Sequence, residues 1–238
     1  MPITTIETQR LYRQIAEQLR SLIDAGEFAV GTRLPAEREL AKQLCVSRPS
    51  VREALIALEV ENVVEVRSGS GIYVLKPKRR TVARKKVNET VEWGPLQLMR
   101  ARELVESEVA ALAARNATRP DLQLMSDALQ QMRDEAAQGQ IPRAADEAFH
   151  YAIAQACGNE VLRDTVRTYW QSRHGALFER LGDYFEDDVS WDAALIEHAA
   201  VLKAIRSRTA TAARSAMHQH LKNAHKRYSA SWLRAKPS

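Results

Sequence analysis

The stretch "SRPSVRE", Ser47 to Glu53, places Arg48 and Arg52 four residues apart, hence on one face of a helix. Ser47 is a natural N-cap, and Pro49 fits a first helical turn. A helix N-terminus offers unpaired N–H groups and partial positive charge to a phosphate, and arginine reads guanine edges bidentately. Ser47 and Ser50 sit at that end, so the stretch has the chemistry of a nucleic-acid contact. A second group lies far downstream. Asp146 and His150 are also four apart, His198 lies among Leu195, Val201 and Leu202, and His220 shares a helical face with Ala213, Ala216 and Ala224. His218, two residues earlier, points elsewhere and should face solvent. Singly, each of these histidines reads as a core or surface residue. Arg102 falls in an apolar helix with Leu98, Val105 and Val109, and Glu106 is an available partner four residues on. Trp170, Arg173 and His174 crowd the segment "TYWQSRHGALF", where an aromatic at helical spacing is ordinarily core.

These side chains need elements to hold them. Residues 10–25 place Leu11, Ile15, Leu19, Leu22 and Ile23 on one face, and Gly26 ends that helix. "FAVGTRLP" reads as a connector, "PAERELAKQL" as a second helix, and Ser47 opens a third whose Val51, Leu55 and Leu58 face a core. "VVEVRSGSGIYVL" reads as two short strands around a glycine-bearing turn. Three short helices and a hairpin form a winged helix-turn-helix over residues 9–75. Residues 76–92 lack apolar periodicity and read as a charged linker that extends basic contact with phosphates. From 93 to 230 the chain runs helix after helix, including one unbroken segment over 159–181, and predicts an antiparallel all-α bundle. The fold class is therefore mainly α.

Charge divides the same way. The net charge is +5, and residues 1–87 hold 16 Lys and Arg against 10 Asp and Glu, the remainder 19 against 20. A basic head on a near-neutral body suits a polyanion partner. Mean hydropathy is −0.39, and no apolar run approaches the ~20 residues of a membrane span. The N-terminus lacks the apolar core of a signal peptide, and Cys45 and Cys157 form no C-x-x-C pair, so a reducing cytoplasm is expected.

"GTRLPAERELAKQLCVSRPSVREALIALE" followed by "VEVRSGSGIYV" resembles the DNA-binding domain of GntR-type bacterial transcription regulators. The resemblance implies Arg38, Arg48 and Arg52 as principal DNA contacts, with Ser47, Ser50 and the wing glycine Gly69 in support. Cys45 departs from it, standing where the family usually has a glycine that accommodates positive φ cheaply. "RELVE", "DEAFHYAIAQACGN", "EHAAVLKAI" and "MHQHL" resemble the FCD-type ligand domain that often follows such a head, as in the FadR subfamily. That resemblance implies one divalent metal ion held by Asp146, His150, His198 and His220, with Zn²⁺, Ni²⁺, Mn²⁺ and Fe²⁺ all suited to mixed carboxylate and imidazole ligation. It also implies that Arg102 meets an acidic effector, since a carboxylate can bridge a cation and a guanidinium fork. "WGPLQLMRARELVES" and "YWQSR" are similar to hexuronate-utilisation repressors within this family, which would add Arg173 and Trp170 to the effector contacts.

The expected function is a cytoplasmic, metabolite-responsive repressor of sugar-acid catabolism genes. It would act as a homodimer on a palindromic operator and be released by an acidic effector. A metal-dependent hydrolase with a DNA-binding head is the alternative from another class. No Ser-His-Asp order, glycine-rich phosphate loop or H-E-x-x-H stretch supports it.

Overall fold

The computed structural model describes residues 10–67, 69–76 and 93–229, so the linker expected at 76–92 lies outside the described residues from 77 onward. Ten helices and one two-stranded sheet are present among them, in two compact units that divide at Gly94 and Pro95.

The first unit holds α1 (Leu11–Asp24), α2 (Glu37–Gln43), α3 (Arg48–Val60), β1 (Val64–Arg67) and β2 (Gly71–Val74). It is a winged helix-turn-helix. Its core is Ile15, Leu19, Leu40, Val51, Leu55 and Leu58 under the hairpin residues Val64, Ile72 and Val74. The buried face of α1 is rotated from the expected one, because Tyr12 turns inward and Leu11 is exposed. The strands pair antiparallel with Val64 opposite Val74 and Val66 opposite Ile72, and Gly69, at φ +70°, turns the chain between them. The expected connector is more ordered than its sequence suggests. Gly31 N donates to Val74 O at 2.8 Å, Val74 N to Thr32 O at 3.0 Å and Leu34 N to Ile72 O at 2.8 Å, so residues 31–34 extend the hairpin by a third edge.

Helix α2 ends at a residue ill suited to its backbone. Val46 N donates to Ala41 O and Cys45 N to Lys42 O, a Schellman closure with Cys45 at the left-handed position, φ +53°. An L-residue pays about 1 kcal/mol there that glycine avoids. The side chain is exposed and packs against no core. Cys45→Gly is therefore expected to stabilise this unit by about 0.5–1 kcal/mol net of glycine's extra unfolded-state entropy. Urea titration followed by hydrogen exchange of α3 amides checks it, and an unchanged or lowered midpoint would count against the strain.

The second unit packs α4 (Pro95–Asn116), α5 (Arg119–Ala137), α6 (Arg143–Ala156), α7 (Glu160–Gln171), α8 (Ala176–Phe185), α9 (Asp188–Arg206) and α10 (Ala210–Ser229). It is an all-α bundle in which α4 lies along α10, α5 along α6, and α9 contacts α4, α5 and α10. Ala110, Ala113, Ala114 and Ala213 are buried where helices approach, and Met125, Met132, Phe149, Ile153, Val166, Ile205 and Met217 fill the interior. The segment expected as one helix over 159–181 is two. α7 closes in a turn at Ser172–His174, and α8 restarts after Gly175, which is extended at φ −96°, ψ 151°. Helix α9 starts at Asp188 because Asp187 and Ser190 form a reciprocal cap.

Candidate metal centre and effector cavity

Asp146 and His150 project from α6, His198 from α9 and His220 from α10, and all four are buried. One ligand atom from each lies within 4.8 Å of the others. The hydrogen bonds behind the rings determine what the cluster can hold. His150 Nδ1 is 2.5 Å from Glu106 Oε2, His198 Nδ1 is 2.8 Å from Ala194 O, and His220 Nδ1 is 2.9 Å from Glu197 Oε2. A carbonyl and carboxylates only accept, so each Nδ1 carries the proton and each Nε2 presents a lone pair. The lone pairs converge: His198 Nε2 is 3.3 Å from His150 Nε2 and 2.9 Å from Asp146 Oδ1. Neither contact is a hydrogen bond, because none of these atoms has a proton to give, and Asp146 Oδ1 is buried with no donor among the described residues. Three imidazole lone pairs and an unmatched carboxylate oxygen facing one another repel unless a cation sits among them. The residues present thus fit a divalent ion.

The surrounding groups favour the same state. Burial, reinforced by His198 and His150, pushes His220 down to about 3, and burial also lowers His150, so these rings are neutral and able to ligate near pH 7. Burial would raise Glu106, but Arg102 and His150 overcome it and hold the carboxyl at about 2. Glu197 is likewise held at about 2, where hydrogen bonds from His220, Arg227 and Asn223 outweigh burial. Ionised Glu106 and Glu197 fix the imidazole tautomers, the usual role of groups behind a metal-binding histidine. His218 is only half-exposed and lies 3.4 Å from Glu103, away from the cluster.

A cavity opens beside the cluster, lined by Arg102, Asp146, Arg173, His198, His220 and Arg227 among others. Arg102 donates through Nε to Glu106 Oε1 at 2.6 Å, and its terminal nitrogens have no hydrogen-bond partner among the described residues. The salt bridge and the cavity-facing fork therefore coexist in one side chain. Arg173 NH1 is 3.4 Å from Asp146 Oδ2 and NH2 3.9 Å from Glu186 Oε1, both long contacts. Trp170 departs from its expected place. It is buried behind the wall, with the Arg102 and Arg173 guanidinium carbons each 4.3 Å from its ring centroid, so it steadies the arginines and does not line the cavity. Glu197 went unread in the sequence. It adjoins His198, but it serves His220, a pairing across helices that local spacing does not encode.

In the first unit, Ser47 caps α3 by accepting from Ser50 N, and its Oγ is 2.8 Å from Ser50 Oγ. Arg38 is exposed on α2, and Arg48 is 52% exposed at the first position of α3. Gly69 is exposed in the wing turn. Arg52 differs from the expectation of a base-reading side chain. It is 2% exposed and grips the buried Glu37 through Nε to Oε2 at 3.1 Å and NH2 to Oε1 at 3.0 Å. Arg48 Nε also donates to Glu37 Oε1, at 2.9 Å. The i,i+4 spacing put both arginines on one face, but the carboxylate of α2 sits under one end of that face and draws Arg52 inward.

Residues 11–74 match the bacterial regulatory proteins of the gntR family, and residues 97–223 match the FCD domain. The chain is 39% identical to the Uxu operon transcriptional regulator of Escherichia coli strain K12, over 92% of this chain and 87% of that one. It is 38% identical to the Exu regulon transcriptional regulator of the same strain, over 91% and 84%. The Uxu operon regulator of Haemophilus influenzae is 35% identical over 90% and 80%.

Proposed function

Because this chain belongs to the gntR family of bacterial regulatory proteins and is a DNA-binding transcription regulator, not an enzyme, we propose that it is a metal-dependent sensor of sugar acids that represses hexuronate-type catabolism genes. In this reading it binds a palindromic operator as a homodimer, holds one divalent ion per chain on Asp146, His150, His198 and His220, and leaves the operator when an acidic effector fills the cavity. The observation that carries the reading is the convergence of three histidine lone pairs and a donorless Asp146 oxygen beside the open fork of Arg102. The names of the Uxu and Exu regulators support the effector class. A bound ion supplies two oxygen sites to a hydroxy-carboxylate, and Arg102 takes the remaining edge of the acid. Arg102 lies in α4, the element that follows the linker in sequence, so acid binding that favours one setting of α4 changes operator affinity by that differential.

Calorimetry on the protein as purified tests this, with D-galacturonate, D-glucuronate, gluconate and lactate against galactose and glucose. The acids are expected to bind and to release a duplex selected for binding to the wild type, whereas the neutral sugars do neither. Binding of neutral sugars alone would overturn the acid-sensor reading. Arg102→Ala is expected to lose acid binding. It should also weaken metal retention about tenfold, because Glu106 loses the partner that steadies it against His150. Metal competition with a chromophoric chelator reads the second effect, and unchanged acid affinity would remove Arg102 from the site. At the other end of the chain, Arg48→Ala is expected to cost about 1–3 kcal/mol of operator affinity with little change on random duplex. Equal losses on both DNAs in an anisotropy titration would reduce Arg48 to a phosphate contact.

A further inference from the structure

Glu186 caps the C-terminus of α8 and lines the effector cavity, yet the metal centre does not use it. Three elements hold its carboxylate. Arg143 Nε, at the start of α6, donates to Oε2 at 2.6 Å; the Tyr228 hydroxyl of α10 donates to Oε1; and Arg173 NH2, beyond α7, is 3.9 Å from Oε1. Burial first, and then the charge of Glu186, push the Tyr228 phenol up, so Tyr228 keeps its proton and stays a donor. A carboxylate offers about four lone-pair sites. Arg143 and Tyr228 occupy two, and the side chain is only 8% exposed, so water satisfies little of the rest. A ligand group reaching Glu186 from the cavity must bring hydrogens. A hydroxyl does so. A second carboxylate brings only lone pairs and a like charge. Arg173 does not resolve that conflict, since its other terminal nitrogen is already directed at Asp146. The same guanidinium spans from Asp146 to Glu186, so an acid anchored at the metal cluster needs only a few carbons to reach Glu186. Ser190 and Trp191, whose buried Nε1 has no hydrogen-bond partner among the described residues, line the cavity too and suit a polar ligand tail.

We infer that Glu186 is a specificity-determining residue, which accepts the hydroxyl-bearing end of a monocarboxylic sugar acid and excludes dicarboxylic acids of the same length. This rests on the acid-sensor reading of the cavity. The test is calorimetry on the full-length protein as purified. D-galactonate and galactarate are six-carbon open chains that differ only at one end, and D-galacturonate serves as a ring-forming monoacid. The wild type is expected to bind a monoacid about a hundredfold more tightly than galactarate, the scale of an unscreened like-charge contact at a partly buried site. Glu186→Gln should narrow the gap to within about tenfold, and Glu186→Asp should keep it. The monoamide of galactarate, which replaces the second charge with N–H donors, should bind the wild type like the monoacid, a readout that needs no variant to fold. Equal wild-type affinity for galactarate and the monoacid, an undiminished gap in Glu186→Gln, or a monoamide no better than galactarate would each overturn the inference and leave the acid-sensor reading standing. Failure of both monoacids to bind the wild type would overturn the two together.

Discussion

His220→Ala is expected to strip the metal from the protein, and His218→Ala to leave it in place. The two histidines stand two apart on α10 and so point in different directions. His220 is buried with Nε2 in the cluster, whereas His218 is half-exposed beside Glu103. Removing one of four ligands opens the site to water. It also leaves Glu197 without the ring it orients, though Asn223 and Arg227 still hold that carboxylate at 2.8 and 3.0 Å. The variant should therefore fold while binding metal at least a hundredfold more weakly. Glu197→Gln should fall between the two, about 10–100-fold down, since it disturbs the ring's orientation and basicity but not the ligand set. Because α6, α9 and α10 each contribute to the cluster, a bound ion would tie them together. At a free metal concentration a thousandfold above Kd it adds about 4 kcal/mol to the second unit. Chelation should lower the melting temperature of the wild type and of His218→Ala, and leave that of His220→Ala unmoved. Elemental analysis reads occupancy directly. Full occupancy in His220→Ala, or loss in His218→Ala, would refute the assigned face of α10.

The legible part of this protein was what repeats along one element. Ser47 and Pro49 announce the start of α3, Val51, Leu55 and Leu58 its inner face, and Gly69 the wing turn, because caps, periodicity and positive φ are local chemistry. Cys45 marked its own backbone strain by occupying a position where the family usually has glycine. The inward choice of His220 over His218 was also local, following from the alanines that share its face. What escaped depends on partners brought together by folding. The i,i+4 rule places Arg48 and Arg52 together, but it cannot register that Glu37, 15 residues before Arg52, lies beneath one of them. Glu197 is adjacent to His198 in sequence but hydrogen-bonded to His220. Trp170 sits where a core aromatic would, and only its distances to Arg102 and Arg173 show which charged groups it supports. The break before α8 was missed because Gly175 has no proline beside it, and the Gln171–His174 run before it is built mostly of residues that a helix tolerates on its exposed face.

Arg52→Ala is expected to destabilise the DNA-binding head by about 3–5 kcal/mol, the cost of leaving one member of a buried ion pair behind. Both Arg52 and Glu37 are 2% exposed, and Arg52 meets Glu37 through two nitrogens on two oxygens. Without the arginine, Glu37 stays buried and loses its two-point contact, and the half-exposed Arg48, through one nitrogen at 2.9 Å, is a weaker counterweight. A loss that large is comparable to the whole stability of a small domain. Binding to operator and to random duplex should therefore decline together as the head unfolds, unlike the selective loss expected for Arg48→Ala. The double variant Glu37→Leu, Arg52→Met removes both charges and keeps much of the volume, so it should recover most of the stability. It should not recover full operator affinity, because Arg48 would lose the carboxylate that sets its direction. Hydrogen exchange of α3 amides isolates the head from the helical bundle, and anisotropy titrations on the two DNAs read binding. An Arg52→Ala variant with wild-type exchange protection but lost operator preference would mean that Arg52 leaves Glu37 on DNA and reads bases itself. In that case the pair with Glu37 would be the resting state of a contact residue, and the interhelix clasp would have to be carried by the apolar core alone.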